Sequence, residues 1–204
     1  MYIPEHFRKD DMATLQAFIR EHSFGALVTR GDDAPFATHM PFLFDAGRGV
    51  YGMLQAHMAR ANPQWRAFAS EQEALVIFQG PHAYISPSWY DAALSVPTWN
   101  YAVVHAYGIP RIIEDSQLLY HQLKTLIENH EAQFEQPWTF ELPQDYIEKM
   151  MRGVVGFTLE ITRLEGKFKM SQNRTPAERE KVIAALQDEH KDVAEIMIEL
   201  KERS

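Results

Sequence analysis

One short segment carries the residue types of an anion-binding turn. It reads HMARANP from His57 to Pro63, and it joins a β-prone run to a helix that begins with proline. Free backbone N–H groups at such a junction, with the guanidinium of Arg60 and the amide of Asn62, can bind a phosphate or a carboxylate. An ordinary capped helix with a surface arginine has the same pattern, so the segment alone leaves both interpretations open.

Aromatic residues are concentrated between positions 81 and 101. The segment PHAYISPSWYDAALSVPTWNY contains two tryptophans, three tyrosines and three prolines. Prolines stiffen the backbone, and rigid rings suit either a flat wall for a planar ligand or the centre of a homodimer interface. The sequence predicts one of these roles or both together.

Several kinds of chemistry are excluded by what the sequence lacks. The chain has no cysteine, which rules out disulfides, thiolate metal sites, iron–sulfur clusters and cysteine nucleophiles. No serine lies in a G-x-S-x-G context, and no Gly-rich phosphate loop is present. Four histidines on or beside predicted strands show no metal-ligand spacing, so no metal is predicted; they are His39, His57, His82 and His105.

Composition narrows the class of protein further. The 204 residues carry a formal net charge of -8, which disfavours a protein whose main surface binds nucleic acid. One local basic cluster comprises Arg163, Lys167, Lys169 and Arg174, and a solvated strand end explains it equally well. The start of the chain lacks a signal peptide's apolar stretch, and no run reaches the roughly 20 apolar residues of a membrane span. We therefore expect a cytoplasmic protein of one domain that does not enter the membrane.

Hydrophobic patterning predicts the elements that position these residues. Apolar or alternating runs bounded by turn residues predict strands at 24–30, 35–45, 50–57, 74–80, 97–114 and 154–170. Helical spacing predicts helices at 10–22, 62–70, 116–134 and 142–153. A capping box of Thr175 and Glu178 begins a C-terminal helical segment that is broken near 187–192. Strands in a meander without βαβ alternation predict an α+β fold around a small antiparallel barrel.

Five motifs in fixed order resemble those of a known family. They are MYIPEHF, HMARANPQW, YISPSWY, VPTWNYAVVHAYG and KFKMSQNR, and they span nearly the whole chain. The chain resembles the PaiB family of FMN-binding negative transcriptional regulators, within the FMN-binding split-barrel superfamily that includes pyridoxamine-phosphate oxidases.

The resemblance implies a Greek-key-like split β-barrel with peripheral helices, in a single domain over 1–204. The barrel core is expected at about 24–170 and a C-terminal helical extension at about 175–204. Members of the family form homodimers whose two subunits together build the flavin groove.

The resemblance also implies which residues contact the flavin. Those beside the isoalloxazine ring are Thr38, His39 and Gln79, and the PTWNY signature adds Trp99 and Asn100. Those at the phosphate turn are His57, Ala59, Arg60 and Asn62. Those in the C-terminal segment that approaches the flavin of the partner subunit are Lys169, Ser171, Gln172 and Arg174.

Three functions are compatible with this sequence. The first is an FMN-binding regulator that responds to redox state or acts through a protein or a metabolite. The net charge disfavours direct binding of this regulator to DNA. The second is a flavin-dependent oxidoreductase or flavin reductase, in which His39, His82 and Tyr84 are possible proton donors. The third is a haem protein with His82 or His105 as the axial ligand. No catalytic residue is assigned, and whether the chain is an enzyme stays open.

Overall fold

The computed structural model describes residues 1–31, 33–90 and 94–202. The strands are β1 (Arg8–Lys9), β2 (Phe24–Arg30), β3 (Pro35–Pro41), β4 (Leu43–Asp45), β5 (Met53–Ala59), β6 (Ala74–Ile85), β7 (Thr98–Gly108), β8 (Pro110–Ile112), β9 (Val154–Glu160) and β10 (Arg163–Lys169). The α-helices are α1 (Met12–Glu21), α2 (Ser116–Glu131), α3 (Gln144–Met151), α4 (Pro176–Leu186) and α5 (Lys191–Glu202). Short 3-10 helices cover Glu5–Phe7, Pro63–Ser70 and Pro87–Trp89. The predicted α+β class with antiparallel sheets is confirmed.

The chain divides into two compact units, and several elements contribute to both. The first unit contains Met1–Phe18, Gln79–Val104 and the chain from Glu165 onward, and the second contains Ile19–Phe78 and His105–Leu164. The boundary falls inside α1, β6, β7 and β10, so each of these elements starts in one unit and ends in the other. No helix among the described residues is both long and apolar enough to cross a membrane.

The second unit is built on antiparallel strands around a phenylalanine core. Strand β2 pairs with β3 and with the start of β6, and a four-stranded sheet has the order β4-β5-β9-β8. The ring of Phe157 is fully buried and lies 5.1 Å from the ring of Phe68 and 6.4 Å from that of Phe42. The predicted alternation along β9 is confirmed, because Val155, Phe157 and Leu159 are buried on one face.

The first unit places strands in the order β1-β10-β7-β6. The start of α1 packs on this sheet, since a Cβ at Gly166 would lie 2.3 Å from Leu15 Cδ2, and the Phe18 and Phe168 rings lie 5.3 Å apart. Helix α4 begins with the predicted capping box: Thr175 Oγ1 accepts the Glu178 N–H at 3.3 Å, and Glu178 accepts the Thr175 N–H at 3.0 Å. The predicted break between the two C-terminal helices is also present.

Several strand boundaries differ from the sequence prediction. The run 35–45 is divided after Pro41, where the N–H of Phe42 instead bonds to the Ser23 carbonyl at 2.9 Å. The run 97–114 is divided at Ile109, ahead of a proline that has no N–H for a ladder. Strand β6 extends five residues further than predicted, because the fully buried Ala83 and Ile85 alternate with exposed side chains.

Other differences are smaller. The run 154–170 forms two strands, and α2 ends at Glu131 rather than near 134. Asp32 of a predicted turn, positions 91–93 of the aromatic segment and positions 203–204 of the C-terminal extension lie outside the described residues.

Candidate functional site

The turn after β5 is held in a defined conformation by backbone carbonyls. The N–H of Arg60 donates to the Gly153 carbonyl at 2.8 Å. The Arg60 guanidinium donates from Nε to the Arg152 carbonyl at 2.8 Å and from Nη2 to the Val154 carbonyl at 2.9 Å. These bonds fix the exposed guanidinium against the strand that pairs with β5. In the part of the chain that the structure describes, its Nη1 and the N–H of Ala61 have no hydrogen-bond partner.

Asn62 connects this turn to β3. Its Nδ2 donates to Thr38 Oγ1 at 2.9 Å, and its Oδ1 accepts the N–H of Gln64 at 3.0 Å, which caps the 3-10 helix Pro63–Ser70. Trp65 stabilises the same turn, because its indole N–H donates to the Arg60 carbonyl at 3.0 Å. Two residues predicted at different parts of the flavin, Thr38 and Asn62, are therefore in contact.

A cavity of about 720 Å³ opens beside Arg60 within the second unit. Side chains of α2 and α3 form most of its wall, including Ser116, Gln117, Tyr120 and Gln144. Its size lies within the range usual for small-molecule sites. The lining side chains include hydrogen-bond donors and acceptors. Among the described residues that line the cavity, Arg60 alone was predicted to contact the cofactor.

His57 lies on β5 opposite Gly156 of β9, and it is half-buried. Its Nδ1 is buried and has no partner among the described residues. Burial lowers the pKa of His57 below its ordinary value of 6.5, because the charged imidazolium loses hydration. Burial therefore favours the neutral imidazole, and this Nδ1 lies away from solvent.

This lowered pKa predicts a pH-dependent stability. Between the lowered pKa of the folded state and 6.5, the unfolded chain binds more protons at His57 than the folded chain does. We expect the free energy of unfolding to fall as the pH drops below 6.5 through this window. Chemical denaturation of wild type and His57→Gln at pH 5 to 8 measures it: the variant should show a shallower fall, and parallel curves would contradict the prediction.

In the first unit, Lys169 lies against the backbone of β7. Its Nζ donates to Thr98 Oγ1 and to the Trp99 carbonyl. Burial, with a smaller effect of the neighbouring charges of Lys167 and Arg174, lowers the pKa of Lys169 below its ordinary value. Three cations thus share this part of the first unit, and an anion placed there would relieve their mutual repulsion.

Asn100 is completely buried, and its side chain bonds to the C-terminal segment. Its Oδ1 accepts the Ser171 hydroxyl at 3.1 Å, and its Nδ2 lies 3.4 Å from Met197 Sδ. Ser171 is itself buried and has a left-handed backbone with φ of 61°. An L-residue holds such a conformation only when its surroundings favour it, so Asn100 positions this segment from inside.

Two further predicted residues of the C-terminal segment also have local partners. Gln172 Oε1 accepts the Met170 N–H at 2.7 Å, which stabilises the turn after β10. Arg174 donates to Ser95 Oγ at 3.1 Å, and its guanidinium carbon lies 4.2 Å from the centre of the Tyr90 ring. The aromatic segment and the C-terminal segment are therefore joined within the first unit.

The remaining predicted residues are exposed. His39 stacks on Phe24 with ring centres 6.4 Å apart, and Ala59 and Gln79 are exposed at strand positions. Trp99 lies 6.2 Å from the ring of His82 and 5.9 Å from that of Tyr84, forming an exposed aromatic cluster on β6 and β7.

The donor set at the Arg60 turn fits a phosphate monoester such as the tail of FMN. A guanidinium nitrogen and a backbone N–H are donors of the kind that bind such an oxyanion. Sequence reasoning missed Thr98 and the carbonyls of Arg152 and Val154, which hold Lys169 and Arg60. Backbone carbonyls carry no residue signature, so only the fold reveals them.

Comparisons with known proteins agree on one family. The model described as "Putative FMN-binding domain" matches residues 1–163. The chain is 38% identical over 203 residues to the protease synthase and sporulation protein PAI 2 of Bacillus subtilis, covering 99% of this chain and 97% of that protein. The PaiB resemblance inferred from the motifs is thereby confirmed.

Solved structures agree on the fold. The flavocytochrome Anf3 of Azotobacter vinelandii matches with a TM-score of 0.60 at 14% identity, over 85% of this chain and 73% of that one. The FAD and heme binding protein of Mycobacterium smegmatis matches with a TM-score of 0.57 at 18% identity, over 88% and 80%. The chain therefore belongs to the FMN-binding family of the PaiB type, with the split-barrel fold and FMN as its cofactor.

Proposed function

We propose that the chain is a homodimeric FMN-binding regulator, which lowers transcription indirectly by responding to the redox state of its flavin. The observation that carries this proposal is the Arg60 turn, whose guanidinium is fixed by two carbonyls while one nitrogen stays available. A preorganised donor of this kind binds a phosphate without losing side-chain freedom at the moment of binding.

Within this proposal, the second unit binds the phosphate end of the cofactor. Arg60 and the N–H of Ala61 donate to the phosphate, and His57 lies on the strand that leads into this turn. Thr38 and Asn62 hold β3 against the turn and keep the spacing constant. When bound, FMN supplies electron and hydride transfer.

The first unit supplies cations toward the flavin ring of a second copy. Reduced flavin carries negative charge near N1, and a positive donor fixed beside that atom stabilises it. Lys169 meets this requirement, because its Nζ is already oriented by Thr98 and by the Trp99 carbonyl. Arg174 is held on the Tyr90 ring and provides a second cation.

Homodimer formation is supported by apolar side chains left exposed in each unit. In the first unit Trp99 is 53% exposed and Tyr84 46%, and in the second unit Phe24 is 64% exposed. Exposed aromatic rings are enriched in the centres of protein interfaces.

Indirect regulation is supported by the net charge of the chain and by its similarity to the PAI 2 protein. A net charge of -8 opposes broad contact with DNA phosphates. The related PAI 2 protein has the words protease synthase and sporulation in its name, and control of sporulation suits a regulator. A flavin whose redox state changes the dimer surface would transmit a signal to a protein partner.

Absorption spectroscopy combined with light scattering tests this proposal. We expect purified protein to bind FMN with one flavin per chain in a dimer, and reduction to change its affinity for a partner captured from a crosslinked extract. A chain that stays monomeric and ignores FMN would contradict the proposal. Rapid oxidation of a small molecule by the FMN-loaded protein would favour the oxidoreductase instead.

Replacement of Lys169 tests its role beside the flavin. Lys169→Met should make the flavin harder to reduce, lowering its two-electron potential by about 30 mV for each tenfold loss of preference for the reduced form. Lys149→Met, which removes an equal charge from an exposed position of α3, serves as the control. Equal flavin reduction potentials in the Lys169→Met and Lys149→Met variants would show that Lys169 does not stabilise the reduced flavin.

A further inference from the structure

A second cavity in the second unit has a different chemical character. It has a volume of about 660 Å³ and lies between the β2–β3 hairpin and the 3-10 helix Pro63–Ser70. Among the lining residues are Thr29, Arg30, Phe36, Pro63, Gln64 and Arg66. Arg60 lines the other cavity and is not part of this one.

Gln64 is the feature of this cavity that requires an explanation. It is only 3% exposed, and its Nε2 lies within 3.1 Å of three acceptors: the carbonyls of Leu27 and Phe36 and Thr29 Oγ1. Three acceptors around one nitrogen fix the orientation of the amide. Its Oε1 has no partner among the described residues and is itself buried away from solvent, so Gln64 holds the 3-10 helix beneath the hairpin and keeps the two walls of the cavity at a fixed spacing.

Two guanidiniums supply positive charge to the same cavity. Arg30 and Arg66 are both exposed, and neither forms an ion pair within residues 1–31, 33–90 and 94–202. No acidic side chain is among the described residues that line the cavity. Planar guanidiniums bind phosphate oxygens with two parallel hydrogen bonds, so the pair favours an oxyanion.

The other lining residues indicate the chemistry of the part of the ligand that is not the phosphate. Phe36 and Pro63 present apolar surface, against which a planar ring can pack. The Thr29 hydroxyl already accepts from Gln64, so its own hydrogen is available to an acceptor on the ligand. The cavity thus combines two guanidiniums with an apolar wall and a hydroxyl group.

We propose that this cavity binds a phosphate monoester carrying a planar ring, in addition to the FMN at the Arg60 turn. Arg30 and Arg66 bind the phosphate, and the ring packs on Phe36. The inference rests on the proposed function only in placing FMN at Arg60. The second ligand would occupy its own cavity next to the turn that holds FMN.

Isothermal titration of FMN-saturated protein with AMP tests the proposal. We expect AMP to bind, Arg66→Ala and Arg30→Ala each to weaken it at least tenfold, and the double variant to weaken it at least hundredfold. Arg48→Ala, which removes a guanidinium from an exposed turn of the same unit, should leave AMP affinity unchanged. Melting temperatures establish that each variant is folded.

Two comparisons separate this inference from the function proposed above. Arg60→Ala should lose FMN and keep AMP, whereas Arg66→Ala should lose AMP and keep FMN. Absence of AMP binding, or affinities that are equal in Arg48→Ala and Arg66→Ala, would overturn the second site. Displacement of FMN by AMP would also overturn it, since both ligands would then share one site.

Discussion

Arg60→Ala is expected to weaken FMN binding about 10- to 150-fold. The guanidinium would supply a charge-assisted hydrogen bond to the cofactor's phosphate, and such a bond contributes about 1.5–3 kcal/mol. The effect is enlarged by preorganisation, because the Arg152 and Val154 carbonyls hold the wild-type side chain in place. Titration of the apoprotein, followed through the quenching of flavin fluorescence, measures the change.

Two further variants sharpen this test. Arg60→Lys keeps the charge but cannot bond to two carbonyls and a phosphate at once, so it should fall between wild type and Arg60→Ala. Arg111→Ala removes an exposed guanidinium that pairs with Glu71 at 2.8 Å, and it should bind FMN as wild type does. Wild-type affinity in Arg60→Ala would show that the phosphate lies elsewhere.

Asn100→Ala is expected to lower the free energy of unfolding by about 2–4 kcal/mol. The substitution leaves the buried Ser171 hydroxyl without its acceptor and opens a space beside Met197. Ser171 holds a strained backbone, so loss of this bond should also loosen the segment that follows β10. Urea denaturation monitored by tryptophan fluorescence measures the loss.

Asn173 provides a matched comparison for this change. It is exposed in the same segment, and Asn173→Ala should alter the free energy of unfolding by no more than about 0.5 kcal/mol. If Asn100→Ala unfolds at the wild-type urea concentration yet binds FMN poorly, Asn100 acts on the cofactor directly rather than through the fold.

Local patterns allowed much of the fold to be predicted from sequence. The capping box at Thr175 and the alternation along β9 each depend on residues close together in the chain, and both are confirmed. The extension of β6 was missed because Gly80 and Pro81 look like a turn, whereas burial of Ala83 and Ile85 overrides that local preference.

The candidate site was predictable only in part. The HMARANP segment predicted an anion-binding turn with Arg60 and Asn62, and in the structure the Asn62 side chain instead caps the next helix and bonds to Thr38. Asn100 and Met197 are 97 residues apart in sequence, so no local pattern could have indicated their contact. The same is true of Gln64, which looks like an ordinary helical glutamine but is buried under the β2–β3 hairpin.

The pairing of β1 with β10 has a consequence for how the chain folds during synthesis. Arg8 pairs with Lys167, so β1 has to wait for its partner strand until the residues of β10 have been synthesised. Contacts this distant in sequence raise the contact order and slow folding, because a long loop must close before they form. The residues of β1 therefore stay unpaired on the ribosome until β10 has emerged, and during that time they are open to chaperones and proteases.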